Sequence, residues 1–137
     1  MALTISHSAK ETLELGRMLA TRLRRGDVVA LVGDLGAGKT HLAKGIAIGL
    51  GVEEEASSPT FTLIHEYPGG RLPLYHIDLY RLESEDEAMR IGLDDYLHGE
   101  GVAVVEWADK FAFLMPSHTQ WIRIRALKGD QREIEGL

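Results

Sequence analysis

The chain has no cysteine, which excludes disulfides, thiolate metal sites and a cysteine nucleophile together. It has no apolar run approaching the ~20 residues that a membrane-spanning helix requires, and its amino terminus shows no signal-peptide pattern. These absences lead us to expect a cytoplasmic protein with no membrane contact. Positive charge is also scarce, with 15 Lys and Arg against 21 Asp and Glu for a net charge of −6. A chain so balanced is not expected to grip DNA or RNA unaided, because phosphate binding relies on clustered cations. The one basic cluster, Arg22, Arg24 and Arg25, falls at the end of a predicted helix, where cations meet the negative end of the dipole. His7, His41, His65, His76, His98 and His118 have no paired metal-ligand spacing, so no zinc site is expected.

What remains is an ordinary globular composition, 45% hydrophobic and 26% charged over 137 residues. That length supports one domain with a single sizeable core. No repeat, low-complexity tract or linker interrupts it, so residues 1–137 read as one domain.

The most informative stretch is Gly33-Asp34-Leu35-Gly36-Ala37-Gly38-Lys39-Thr40, which fits G-x-x-x-x-G-K-[ST] at every fixed position. Glycines allow backbone turns that turn N–H groups inward around an anion. Lys39 adds a charge at the β- and γ-phosphates, and Thr40 offers a hydroxyl to Mg²⁺. The start of the following helix adds its dipole. Residues 27–32 form the apolar run of a strand buried on both faces. In residues 39–50, Leu42, Ile46 and Leu50 recur at helical spacing before Gly51. The motif therefore lies between a strand and a helix, the context in which such a loop functions.

A first helix is predicted over residues 9–25, opened by Ser8 and Glu11 at capping-box spacing and lined by Leu15, Leu19 and Leu23. Residues 61–67 and 72–80 read as strands of an antiparallel hairpin around Pro68-Gly69-Gly70-Arg71. Ser84 with Glu85, Asp86 and Glu87 opens a helix ended by Gly92, and a shorter helix covers residues 94–98. Further strands are expected at 102–105, 121–125 and 132–135, with a turn at Lys128-Gly129-Asp130, while residues 111–115 are ambiguous. The architecture implied is a P-loop NTPase-like three-layer α/β fold. Its sheet is mixed and mostly parallel, with helices on both faces.

Such a loop needs acidic partners for a metal. Val102-Ala-Val-Val-Glu106 has the Walker B pattern, in which an apolar strand beside the phosphate-loop strand delivers a carboxylate towards Mg²⁺. Asp78 lies in a segment otherwise rich in strand formers. It either orients the attacking water or holds the metal through a water, or it pairs with Arg81 or His76. Thr60, in Ser58-Pro59-Thr60-Phe61, suits a switch-loop threonine approaching the γ-phosphate, and a plain loop-to-strand junction would look the same. Trp107 either stacks near the site or anchors the core. Ala108-Asp-Lys-Phe111 fails the Asn/Thr-Lys-x-Asp pattern of guanine recognition, which favours adenine. The loop alone also suits a small-molecule kinase or a nucleotide-sensing module, although no arginine-rich lid is evident.

Five segments together, residues 33–40, Ser-Pro-Thr-Phe-Thr-Leu (58–63), His-Ile-Asp-Leu-Tyr-Arg (76–81), Gly-Leu-Asp-Asp-Tyr-Leu (92–97) and Glu-Trp (106–107), resemble the TsaE family, formerly YjeE, of small bacterial ATPases. The resemblance implies a role in making N6-threonylcarbamoyladenosine beside the anticodon of tRNA. It also implies binding to a TsaB–TsaD heterodimer, which ATP turnover resets between rounds, so that tRNA is met only through the complex. Lys39 and the loop amides would hold ATP, and Thr40 and Glu106 would bind Mg²⁺. Asp78 and Trp107 fall on motif positions important for activity. Ala9 would lie by the base, approached by the Gln131-Arg132 turn. His41 departs from the Thr or Ser often found there, outside the fixed motif. No arginine finger is assignable, so hydrolysis is expected to be slow alone and faster with the partner.

Overall fold

The computed structural model describes residues 3–34, 36–53 and 63–137. Leu35 and Thr60, with the rest of Ser58-Pro59-Thr60-Phe61, lie outside them. Runs of β-branched and small apolar residues build the centre of the sheet. Strand β2 (Val28–Val32) is buried at every position, and so is β5 (Val102–Glu106). Around them lie β1 (Leu3–Ser6), α1 (Ala9–Ala20), α2 (Lys39–Gly49), β3 (Ile64–Tyr67), β4 (Leu74–Asp78), α3 (Glu85–Arg90), α4 (Leu93–Leu97), β6 (Gln120–Ala126) and β7 (Arg132–Glu135). A 3-10 segment, Ala108–Leu114, follows β5.

The strand order is β1-β7-β6-β2-β5-β4-β3. The centre, β6-β2-β5-β4, is parallel, and antiparallel ladders finish both sides. Alternation along the strands sends side chains to two cores. Val29, Leu31, Val102 and Val104 pack with Leu42, Ile46 and Leu19 of α2 and α1. Val28, Ala30, Ala103 and Val105 pack with Ala88, Leu93, Leu97 and Phe111 on the opposite face. Helices therefore cover both faces of a mixed sheet.

Local expectations meet specific outcomes. Ser8 caps α1 by accepting the Glu11 N–H at 3.0 Å, and Ser84 caps α3 by accepting that of Glu87 at 3.2 Å. The Glu11 carboxylate accepts from the His7 N–H, one residue before the cap. Helix α1 ends at Ala20, short of the predicted residue 25, because the chain turns through Arg22 N–H to Leu19 O and Leu23 N–H to Ala20 O. Arg22, Arg24 and Arg25 thus follow the helix, and Arg17 is the cation in its last turn. The antiparallel hairpin forms with shorter strands than read, Ile64–Tyr67 and Leu74–Asp78, with Ile64 opposite Ile77 and Tyr67 opposite Leu74; residues 61–62 lie outside the described residues. Residues 111–114 belong to the 3-10 stretch, kinked at Phe111, and Met115 follows it in extended conformation. Strand β1 was not anticipated. Among its four residues only Ser6 is buried, and an edge strand of this kind leaves little hydrophobic pattern.

Candidate functional site

The phosphate loop leaves β2 and enters α2 through two residues in the left-handed region, Gly36 (φ +79°) and Gly38 (φ +108°). Residues with a Cβ rarely adopt that backbone. Gly38 is the N-cap of α2 and brings no side-chain acceptor to it. The first helical residue, Lys39, is only 5% exposed. Its ammonium donates to the Gly33 carbonyl at 2.5 Å and lies 3.6 Å from the centre of the Trp107 ring. Burial holds its pKa below the ordinary lysine value, opposed by the nearby carboxylates of Glu106, Asp78, Asp109 and Asp34.

Two of those acids sit side by side. Asp78 ends β4, Glu106 ends β5, and the parallel register makes them direct partners. Asp78 Oδ1 accepts the Tyr80 N–H at 2.9 Å. Burial raises its pKa despite that bond; the charge of Glu106 adds to the rise, and His76 and Lys39 oppose it. Glu106 is 3% exposed, and its Oε2 lies 2.5 Å from His76 Nε2. His76 therefore pairs with Glu106 across the sheet, whereas Asp78 relies on a backbone amide.

After Glu106 the chain turns at Trp107, among the described residues the one non-glycine with positive φ (61°). Its ring meets Tyr80 with centroids 4.8 Å apart. Lys110 ties this corner to the turn after β4, donating to the carbonyls of Tyr80 at 2.6 Å and Leu82 at 2.7 Å. On the far side of the loop, Arg132 donates to the carbonyls of Gly36 at 3.3 Å, Gly129 at 3.1 Å and Gln131 at 2.9 Å.

These groups surround a cavity of about 440 Å³. Of the residues singled out from sequence, Ala9, Gly36, Gly38, Lys39, Thr40, Asp78, Glu106, Trp107 and Arg132 line it. Gly33 contributes its carbonyl from beneath Lys39, and Ala37 is buried. Asp34 and Gln131 are not on the wall. Sequence reasoning missed Thr12, one turn beyond Ala9 on the same helix face, and it missed Tyr80 and Asp130, which line the cavity too. Arg81, the arginine of the His-Ile-Asp-Leu-Tyr-Arg segment, also lines the cavity.

Among the described residues, no three His, Asp or Glu side chains converge as a preformed metal cage. The donors gathered here, the carboxylates of Asp78 and Glu106 and the hydroxyl of Thr40, are all oxygen. That chemistry fits Mg²⁺, which keeps several waters and shares phosphate oxygens instead of entering an all-protein cage.

A parallel strand, glycine loop and helix N-terminus within a sheet covered on both faces define an α/β protein of the P-loop NTPase-like class. The family model for the threonylcarbamoyl adenosine biosynthesis protein TsaE matches residues 6–134, and the chain belongs to that family. It is 48% identical to the tRNA threonylcarbamoyladenosine biosynthesis protein TsaE of Bacillus subtilis (strain 168), over 91% of this chain and 78% of that one. It is 45% identical to the protein of the same name from Treponema pallidum (strain Nichols), over 95% and 96%. The crystal structure of Bacillus subtilis YdiB superposes with a TM-score of 0.83 at 41% identity, covering 97% of this chain and 82% of that one.

Proposed function

We propose that this chain is the Mg²⁺-dependent ATPase subunit that binds a TsaB–TsaD heterodimer and drives its turnover in N6-threonylcarbamoyladenosine modification of tRNA. One observation carries the reading. A buried lysine at the head of a helix faces an in-register pair of carboxylates across a single cavity. A desolvated ammonium at a helix N-terminus suits phosphate oxygens, and the carboxylates beside it suit the Mg²⁺ that accompanies a triphosphate.

Catalysis then rests on positioning and charge, since phosphoryl transfer asks for little covalent help from protein. The loop backbone and Lys39 hold the phosphates. Asp78 orients the attacking water and takes its proton, a role helped by the raised pKa of its carboxyl. When bound, Mg²⁺ neutralises charge on the phosphate oxygens, with Thr40 and Glu106 as the residues to hold it. Ala9 and Thr12 flank the adenosine side. Trp107 keeps Lys39 against the loop through its ring face. The subunit works in the cytoplasm and meets tRNA only through the complex.

The test is steady-state release of phosphate from ATP with and without TsaB–TsaD, combined with co-purification in ATP and in ADP. Slow release alone, faster release with the heterodimer and nucleotide-dependent association are expected. Equal rates together with nucleotide-independent association would overturn the reading. Formation of a phosphorylated metabolite instead of free phosphate would make the chain a kinase.

A further inference from the structure

We propose that His76 is a positioning residue for Glu106, holding the carboxylate by one oxygen so that the other is left for a ligand in the cavity. The inference rests on the reading above, in which Glu106 stands on the metal side of a nucleotide site.

The sheet dictates the geometry. His76 lies opposite Val104, and Asp78 lies opposite Glu106. Alternation therefore puts His76, Asp78, Val104 and Glu106 on one face, while Ile77 and Val105 enter the opposite core. Val104 belongs to the core under α1 and α2, so this face is the one that looks towards the phosphate loop. His76 and Glu106 are diagonal neighbours, within reach of long side chains. Both are buried, His76 to 1% exposure, and His76 Nε2 lies 2.5 Å from Glu106 Oε2.

Burying a carboxylate without a donor is costly, and the imidazole provides one. His76 Nδ1 is buried and has no hydrogen-bond partner among the described residues. A proton there would be an orphaned donor, whereas a bare lone pair is tolerated more easily. The proton therefore belongs on Nε2, which donates to Oε2. Glu106 lines the cavity, and with Oε2 committed to His76, Oε1 is the oxygen left for a ligand. Fixing the partner of a ligating group in this way typically changes metal affinity by about ten- to hundredfold.

The test uses the full chain, stripped of metal with EDTA and then freed of the chelator, loaded with a non-hydrolysable ATP analogue and titrated calorimetrically with Mg²⁺. His76→Gln places an amide nitrogen near the position of Nε2, while His76→Asn stops short of Glu106 and His76→Leu removes the donor. Asn and Leu are expected to weaken Mg²⁺ binding by about ten- to hundredfold, Gln to stay near the parent, and analogue affinity in EDTA to be unchanged in all three. Parental Mg²⁺ affinity in Asn and Leu, or a Gln variant as weak as Asn, would overturn the inference. Ring ¹⁵N–¹H NMR of the unsubstituted chain probes the same contact without disturbing the core. A proton on Nε2 is expected, and an unprotonated Nε2 overturns the proposal. Glu106→Gln separates the two readings. If it binds Mg²⁺ as the parent does, the metal-side role of Glu106 fails. If it loses Mg²⁺ while the His76 variants keep it, only the positioning role fails.

Discussion

Helices α1 and α2 touch backbone to backbone, and Gly45 shows how tightly. A Cβ placed on Gly45 would lie 1.9 Å from the Leu13 carbonyl oxygen and 2.8 Å from its carbon. Carbon–oxygen contacts settle near about 3.3 Å, so Gly45→Ala must drive the two backbones apart by about 1.4 Å. Neither obstructing atom sits on a side chain that can rotate away. Overpacking of this kind costs about 3 kcal/mol, at the upper end of its usual range. Alanine returns about 1 kcal/mol through its better helix propensity, leaving a net loss of about 2 kcal/mol. For a domain of this length, that lowers the unfolding midpoint by roughly 7 °C. Gly69→Ala is the matched control, since a Cβ there meets nothing within 4 Å. Its midpoint should hold or rise by up to about 3 °C, through the lower entropy of the unfolded chain. Thermal unfolding followed by circular dichroism reads both. The consequence extends to the site, because α1 brings Ala9 and Thr12 to the cavity and α2 brings Lys39 and Thr40. Gly45→Ala should therefore also weaken nucleotide binding at temperatures where it remains folded. A Gly45→Ala midpoint indistinguishable from that of Gly69→Ala would refute the view that this contact sets the helix spacing.

Two further predictions concern charge. The carboxyl of Asp78 is held above its ordinary value of 3.8 by burial, so its contribution to stability is present below that value and lost as pH rises through the higher folded one. Asp78→Asn should thus be more stable than the parent at neutral pH by a few tenths of a kcal/mol, given its partial exposure. The gap should close as pH falls towards 3.8; urea midpoints that differ equally at both ends would count against it. Arg132→Ala removes the guanidinium bonded to the Gly36 carbonyl and should weaken ATP binding roughly tenfold, with Arg132→Lys intermediate. Unchanged calorimetric affinity would take Arg132 out of the site.

What could be read along the chain was what the chain settles locally. The loop flanked by an apolar run and a helical repeat, the serine caps and the Pro-Gly-Gly hairpin each depend on neighbours within a few residues. Val102 to Glu106 was legible because a strand buried on both faces needs an unbroken apolar run, and an acid closing such a run stands out. Pairings across the sheet were not legible. His76 reaches a residue 30 positions away and Arg132 reaches one 96 positions away. Only the strand order, which places β4 beside β5 and sets β7 one strand from β2 across β6, brings those partners together. Asp78 illustrates the limit. Its sequence neighbours His76 and Arg81 were the obvious partners, yet His76 reaches across to Glu106 on the neighbouring strand and Asp78 is held by a backbone N–H. Strand β1 escaped for a similar reason, since its place depends on register with β7 rather than on its own pattern.

The corner at Trp107 explains why these separate pieces act as one site. A non-glycine residue held in the left-handed region costs on the order of 1 kcal/mol or more, and it persists only where surrounding structure enforces it. Here the enforcement is visible in the Tyr80 ring packed on Trp107 and in Lys110, which binds the carbonyls of Tyr80 and Leu82. The turn lets Trp107 fold back over Lys39 immediately after Glu106 has been delivered. One two-residue step therefore couples the acid at the end of β5 to the lysine at the head of α2. The pKa shifts point in one direction: burial depresses the lysine and raises the aspartate, so both groups carry charge at a cost to the fold. A magnesium triphosphate in the cavity would reverse both penalties, with phosphate oxygens beside the ammonium and a cation beside the carboxylates. The strain and the charge penalties of this site are then those of a fold completed by its proposed ligand.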